Sequence, residues 1–220
     1  MTAEQFHHQL RQSGLPLIAI LRGITPDEAH DAAQLLVECG FRFLEVPLNS
    51  PQPLKTVKIM LDAVAGKAQV GAGTVLTAEQ VKQVYDVGGQ LIISPNFSPA
   101  VVKTSAELKL TSLPGVATPS EAFAAIEAGA CGLKLYPAEM LPPSVMKAMR
   151  VVLPKTIACL PVGGIQADSA QMEVYCQAGA DGFGLGGGLY QVGMTMKMLE
   201  ANALRYRDAW INSVKISSEH

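Results

Sequence analysis

Thr118-Pro119-Ser120-Glu121 opens a stretch that Ala128-Gly129-Ala130 punctuates and that runs on into Cys131-Gly132-Leu133-Lys134-Leu135-Tyr136-Pro137. The threonine suits a helix N-cap, the proline suits the first helical position, and the glutamate can reach back to the cap. Gly129 supplies the left-handed turn that ends a helix. The apolar run after it is short, as a strand buried on both faces should be. A helix and the strand that follows it are thus read from one continuous stretch.

The same punctuation recurs along the chain. Cys39-Gly40-Phe41, Val87-Gly88-Gly89 and Ala178-Gly179-Ala180 repeat the helix stop, at intervals of roughly 40–50 residues, about two βα units. Thr25-Pro26-Asp27-Glu28 repeats the full start, Thr77 with Gln80 the capping box, and Ser50-Pro51 and Ser98-Pro99 the cap with its proline. Eight strands are predicted: Pro16–Arg22, Phe41–Pro47, Gln69–Gly73, Gln90–Pro95, Lys109–Pro114, Cys131–Pro137, Ile157–Gly163 and Gly182–Gly186. Strict alternation with helices gives a parallel sheet, and eight units in 220 residues favour closure. An open dinucleotide-binding sheet would want a glycine-rich fingerprint after the first strand, which Arg22-Gly23-Ile24-Thr25 lacks. The expected fold is therefore α/β, a single (β/α)8 TIM barrel over residues 1–220 with a polar N-terminal segment. Val192, Met196, Leu199, Ala203, Tyr206 and Trp210 are expected to form the barrel-facing stripe of the last helix. The tail after about Ser213 is expected to fray.

Composition narrows the function. The chain is 49% hydrophobic and 16% charged, which suits a large core and not a disordered chain. Net charge is −2 with no basic run, so neither nucleic acid nor an anionic membrane surface is an expected partner. An anionic ligand must then be held by a local site. The run Leu15 to Leu21 is too short to span a bilayer. The polar start (Thr2, Glu4, Gln5, His7, His8) does not read as a signal peptide. Cys39, Cys131, Cys159 and Cys176 form no Cys-x-x-Cys pair and read as small core residues in a reducing cytosol. The expected location is the cytoplasm.

Strand alternation picks out the chemistry. Gly132, Lys134 and Tyr136 share one face, and Leu133 and Leu135 the other. With the leucines toward the helices, Lys134 points into the barrel and Gly132 leaves room beside it. The other reading is a strand-end lysine that snorkels to solvent. A lysine among apolar groups loses stability in its charged form, and a neutral amine can attack a ketone to form a Schiff base. In the same way Phe43, Glu45 and Pro47 share a face, which brings Glu45 to the interior or to a partly solvated strand end. A tuned carboxyl can move each proton that carbinolamine formation, dehydration and aldol cleavage require. Arg22 closes the first strand and can grip a carboxylate or sit on the surface. Thr74, after Gly71-Ala72-Gly73, offers a hydroxyl to a carboxylate or to a turn. Gly163-Gly164 ends the seventh predicted strand and Gly184 to Gly188 the eighth, where barrels often cradle phosphate. No acidic or histidine cluster marks a strand end, and His7, His8, His30 and His220 lie outside the strands, so no metal is expected.

At these residues the sequence closely resembles the 2-keto-3-deoxy-6-phosphogluconate/galactonate aldolase family, from about Leu15 to Tyr206. The likeness is carried by Leu17 to Gly23, Glu45 to Pro51, Gly71 to Val75, Ser94-Pro95-Asn96, Pro114 to Thr118, Leu133 to Pro137 and Pro161 to Gly164. It implies a class I aldolase with a pyruvate Schiff base on Lys134 and Glu45 as general acid and base. It also implies carboxylate contacts from Arg22 and Thr74, a substrate contact at Pro95, and phosphate binding at Gly163, Gly164, Gly186 and Gly187. The implied reaction is reversible cleavage of a phosphorylated 2-keto-3-deoxy sugar acid to pyruvate and glyceraldehyde 3-phosphate. The implied assembly is a homotrimer, and the covalent Schiff base takes the place of any cofactor.

Gluconate-type members carry Thr-Leu-Arg-Thr after the glutamate and a threonine before the second Gly-Gly. Pro47-Leu48-Asn49-Ser50 and Val162 stand here instead and resemble the galactonate-type members. A valine cannot give the hydroxyl that one C4 configuration would bond. Two further departures are Gly187-Gly188 in place of Ser-Asp or Ser-Ala, and Tyr136 in place of phenylalanine. Two other functions remain open: a phosphosugar isomerase or epimerase, which needs acid and base but no imine, and a non-catalytic sugar-phosphate sensor, against which the cost of an interior Lys–Glu pair counts.

Overall fold

Helix ends in the structure follow local chemistry. Glu28 accepts from the Thr25 N–H at 3.0 Å and Glu121 from the Thr118 N–H at 2.9 Å, while the Thr118 and Thr77 hydroxyls accept from the amides three residues on. At the stops, Gly40, Gly88, Gly129 and Gly179 all have φ between 89° and 104°. The next amide bonds back into the helix in each case, Phe41 to Leu36 O, Gly89 to Val84 O, Ala130 to Ala125 O and Ala180 to Tyr175 O. This is the turn that feeds each following strand.

The computed structural model describes residues 1–218. Its strands are β1 Leu17–Ile20, β2 Phe43–Pro47, β3 Gln69–Gly73, β4 Leu91–Ile93, β5 Thr111–Leu113, β6 Gly115–Val116, β7 Gly132–Leu135, β8 Ala158–Pro161 and β9 Phe183–Leu185. The helices are α1 Ala3–Gln12, α2 Pro26–Glu38, α3 Pro53–Val64, α4 Ala78–Asp86, α5 Pro99–Glu107, α6 Pro119–Glu127, α7 Pro143–Val152, α8 Ser169–Gln177 and α9 Met196–Ser218. Strands pair in parallel as a six-stranded half-barrel sheet, β5-β4-β3-β2-β1-β9, and a three-stranded sheet, β6-β7-β8. The Cys131 N–H donates to Ser112 O at 2.9 Å and the Lys134 N–H to Pro114 O at 3.0 Å between the sheets on one side. On the other, the Asp181 N–H donates to Cys159 O at 3.0 Å and Val162 bridges Gly184. The fifth predicted strand, Lys109–Pro114, narrows to β5, and β6 follows beyond Pro114, which has no N–H to give.

The alternation read from the sequence holds. Leu17, Ala19, Leu21, Leu44, Val46, Leu133, Leu135 and Cys159 belong to the core between strands and helices. Ile18, Phe43, Ala158 and Leu160 belong to a second core, inside the sheets. That inner core contains Phe6 and Leu10 of α1. Their spacing of four puts both on one helix face, a pattern that reading the segment as merely polar overlooks. Phe6 meets the Phe43 ring edge-on with centroids 5.8 Å apart. A Cβ on Gly132 would come 2.9 Å from Leu113 Cδ2 and 3.1 Å from both Ala158 O and Phe6 Cε1, so Gly132 makes room for the inner core.

Three further expectations are corrected. α3 starts at Pro53 behind Gln52 at φ 43°, because the Ser50 hydroxyl is engaged with the Gly23 N–H at 2.9 Å and does not cap it. Val192 precedes α9, is exposed, and lies over Gly23 where a side chain there would stand. The tail continues as helix to Ser218, and the last part of the expected frayed tail, with His220, lies outside the described residues.

Phe6 is fully buried, so Phe6→Ala is expected to cost about 3–5 kcal/mol. Thermal unfolding should then show a melting temperature lower by about 10 °C, and Phe6→Leu a much smaller loss.

Candidate active site

Interior positions at the C-terminal strand ends converge. Ile20 ends β1 and Arg22 follows it, Lys134 lies in β7 and Tyr136 just after it, Val162 follows β8, and Gly184 lies in β9. Together with Gly163, Gly164, Gly186, Gly187, Gly188, Ile165 and Gln166 they line a cavity of about 330 Å³. Ile20 and Val162 fill the space that a side chain on Gly184 would occupy.

Glu45 stands beside this cavity in β2, in register with Ile20 and Gly71. It is 1% exposed, and its Oε2 has no hydrogen-bond partner among the described residues. A Cβ on Gly73 would fall on the Glu45 carboxyl, so the glycine is what lets the carboxyl lie there. Burial pushes the Glu45 pKa up to about 7, against the pull of the Lys134 and Arg22 charges. Burial likewise holds the Lys134 amine below the usual lysine range; Glu45 raises it and Arg22 lowers it. Lys134 is 7% exposed, and its Nζ lies 4.6 Å from the centroid of the Tyr136 ring. The interior holds a carboxyl and an amine that are each drawn toward neutrality, which favours proton transfer and nucleophilic attack.

Arg22 is exposed, and its guanidinium donates to Asn49 Oδ1 at 2.7 Å. Asn49 stands outside the cavity lining and touches it through Arg22. Thr74 and Pro95 also lie outside the lining, at the ends of β3 and β4. Thr74 has φ 56°, a left-handed conformation that is strained for a β-branched residue. The Pro95 carbonyl packs where a side chain on Gly115 would be.

The glycine loops differ from one another. Gly163 and Gly164 have φ 108° and 65°, and the Glu139 side chain packs where their side chains would project. Sequence reading passed over Glu139, because it is exposed and belongs to a short 3-10 turn, Ala138–Met140, with no periodicity to mark it. Gly186, Gly187 and Gly188 do not have positive φ. A side chain on Gly188 would strike the Tyr206 hydroxyl, which donates to Ile165 O at 2.8 Å. A Cβ on Gly186 or Gly187 would meet nothing within 4 Å, so that backbone borders open space.

Comparison with known proteins agrees with this geometry. The family model described as KDPG and KHG aldolase matches residues 8–200. The chain belongs to the KDPG and KHG aldolase family. It is an aldolase, a carbon–carbon lyase. A probable 2-dehydro-3-deoxy-6-phosphogalactonate aldolase of Rhizobium meliloti (strain 1021) is 45% identical over 180 residues, 82% of this chain and 84% of that one. The 2-dehydro-3-deoxy-6-phosphogalactonate aldolase of Escherichia coli (strain K12) is 41% identical over 204 residues, 93% and 98% of the two chains. Among solved structures, the native KDPGal structure superposes with a TM-score of 0.88 at 41% identity, covering 91% of this chain and 97% of that one. In this KDPG and KHG aldolase family member, no described residues form a group of three or more His, Cys, Asp or Glu side chains placed to hold a metal ion. None of its described helices is long and apolar enough to cross a membrane.

The raised Glu45 pKa has a consequence for stability. Between the ordinary value of 4.5 and about 7 the folded chain holds a proton that the unfolded chain releases. Stability from this group is therefore present below pH 4.5 and lost as pH rises toward 7. Glu45→Gln is expected to raise the melting temperature by several degrees at pH 8 and to leave it nearly unchanged at pH 4.5. Calorimetry at the two pH values checks the difference.

Proposed function

We propose that this aldolase reversibly cleaves 2-dehydro-3-deoxy-6-phosphogalactonate to pyruvate and D-glyceraldehyde 3-phosphate, in sugar-acid catabolism. The observation that carries the reading is the buried Lys134 amine beside the buried, hydrogen-bond-deficient Glu45 carboxyl. Neutral Lys134 attacks the C2 ketone, and Glu45 passes the protons that turn the carbinolamine into a protonated imine and release water. Glu45 then takes the C4 hydroxyl proton as the C3–C4 bond breaks; the electron pair moves into the imine to leave an enamine, and the aldehyde departs. Return of a proton to C3 and hydrolysis of the imine free pyruvate and restore the amine.

Arg22, held by Asn49, is assigned to the substrate carboxylate together with Thr74, whose strained backbone fixes where its hydroxyl points. Pro95 borders the same end of the sheets. Gly163, Gly164, Gly186 and Gly187 are assigned to the phosphate, with support from the open space beside the last two. Val162 gives the cavity an apolar wall where a threonine would offer a hydroxyl, which favours the galactonate epimer. The hydrogen bonds that join the two sheets on both sides support closure into one (β/α)8 barrel and a single domain over residues 1–220. The same reading takes the enzyme to be a cytoplasmic homotrimer that needs no metal or other cofactor.

A paired cleavage assay tests the function: the phosphogalactonate substrate and its gluconate epimer, with pyruvate release followed through a coupled dehydrogenase. At least a tenfold preference in kcat/KM for the galactonate compound is expected, and loss of turnover in Lys134→Met. Equal or reversed rates remove the Val162 assignment, and turnover retained in the methionine variant removes the imine. Gly187→Ser has room and an ordinary φ. It is expected to lower KM for the phosphorylated substrate severalfold and to leave the unphosphorylated analogue unchanged.

A further inference from the structure

The Lys134 nitrogen is poor in partners. Among the described residues its Nζ has no side-chain hydrogen-bond or ion-pair partner, although the Glu45 carboxyl and the Arg22 guanidinium both act on it at longer range. The group that faces it is an aromatic ring. Tyr136 is two residues on from Lys134, so β7 alternation carries both side chains to the same face. The ring centroid is 4.6 Å from Nζ, within the range at which a ring quadrupole attracts a cation. Tyr136 lines the same cavity and is 38% exposed, so one side of the ring covers the nitrogen while another part borders the substrate space.

We propose that Tyr136 is a positioning residue whose ring face stabilises positive charge on the Lys134 nitrogen, first as ammonium and then as the protonated imine. The second half of this proposal rests on the Schiff-base reading above; the first half does not. Burial withdraws water from the nitrogen, and Glu45 becomes a weak counter-charge whenever it holds its proton. A ring needs no proton transfer to act, and it keeps its attraction through every protonation state of the carboxyl. The charge arises when the carbinolamine loses water and vanishes when the C3–C4 electron pair flows into the imine to give the neutral enamine. The ring therefore favours formation and re-formation of the imine, and not the bond cleavage that discharges it. Its benefit lies in how much of the enzyme carries the iminium at a given concentration of keto acid.

The test compares Tyr136→Phe, which keeps the ring, with Tyr136→Leu, which keeps apolar bulk without it; Tyr136→Met replaces the leucine variant if that one does not fold. The first readout is the pH midpoint of trace acetylation of Lys134 by acetic anhydride, followed by peptide mass spectrometry with the exposed lysines as internal standards. Relative to wild type, the midpoint is expected to be unchanged in Tyr136→Phe. In Tyr136→Leu it should fall by about half a pH unit to one and a half, the counterpart of a roughly threefold to thirtyfold loss of charge stabilisation. The second readout is the fraction of Lys134 trapped by borohydride at a fixed, subsaturating pyruvate concentration. It should follow the same order, with a threefold or greater drop only in the leucine variant. A leucine midpoint equal to or above wild type overturns the proposal. So does a phenylalanine midpoint that falls as far as the leucine one, which would assign the effect to the hydroxyl. If wild type traps no pyruvate, the Schiff-base reading fails, and the acetylation midpoints still decide whether the ring holds the charge.

Discussion

Water is kept away from two ionisable side chains, and the rest of the site is arranged around that exclusion. Glu45 and Lys134 approach the centre from different strands, one beside Gly71 and Gly73, the other beside Gly115 and Leu160. Among the described residues neither has the direct ion pair that would fix both charges. A tight pair would hold the amine as ammonium and the carboxyl as carboxylate, and neither would then be free to attack or to pass a proton. Separation inside a dry frame leaves both near the point of exchange. The glycine at position 73 is part of that frame, since any side chain there would take the place of the carboxyl.

Much of this was legible in the sequence because it depends on local rules. Period-two alternation offered Lys134, Glu45 and Tyr136 as inward-facing, with a solvated strand end as the other reading for the lysine and the glutamate. The four helix-stop glycines could be read because only a left-handed turn explains their recurrence. What escaped the reading depends on contacts between segments far apart in sequence. Gly132 looked like space for Lys134, but Leu113, Ala158 and Phe6, the last more than a hundred residues earlier, crowd the position. Ser50 looked like a helix cap, but its hydroxyl holds the Gly23 amide of the preceding loop. Asn49 was legible as a departure from the gluconate pattern and a candidate substrate contact, but not its role as acceptor for the Arg22 guanidinium.

The strand-end glycines show how one residue type can answer different demands. Gly163 and Gly164 adopt backbone angles that disfavour other residues. Gly188 has an ordinary backbone and is small because the Tyr206 hydroxyl of α9 reaches over it to Ile165. Gly187 is under neither demand. Of the two departures from the family pattern in this loop, position 188 is thus accounted for by a tyrosine on the last helix. Position 187 is free to vary with the ligand.

The placement of α1 bears on the order in which the chain can fold. Phe6 and Leu10 are synthesised before every strand described here, yet the core they enter includes Ile18, Phe43, Leu91, Leu113, Ala158 and Leu160. Until strands as late as β8 have been synthesised, that helix face has no completed socket. These contacts span most of the chain, and their loop-closure cost delays them relative to the neighbouring βα pairings. α1 is thus made before the strands it packs on and is among the last elements to dock, and a nascent chain must shield its apolar stripe until then.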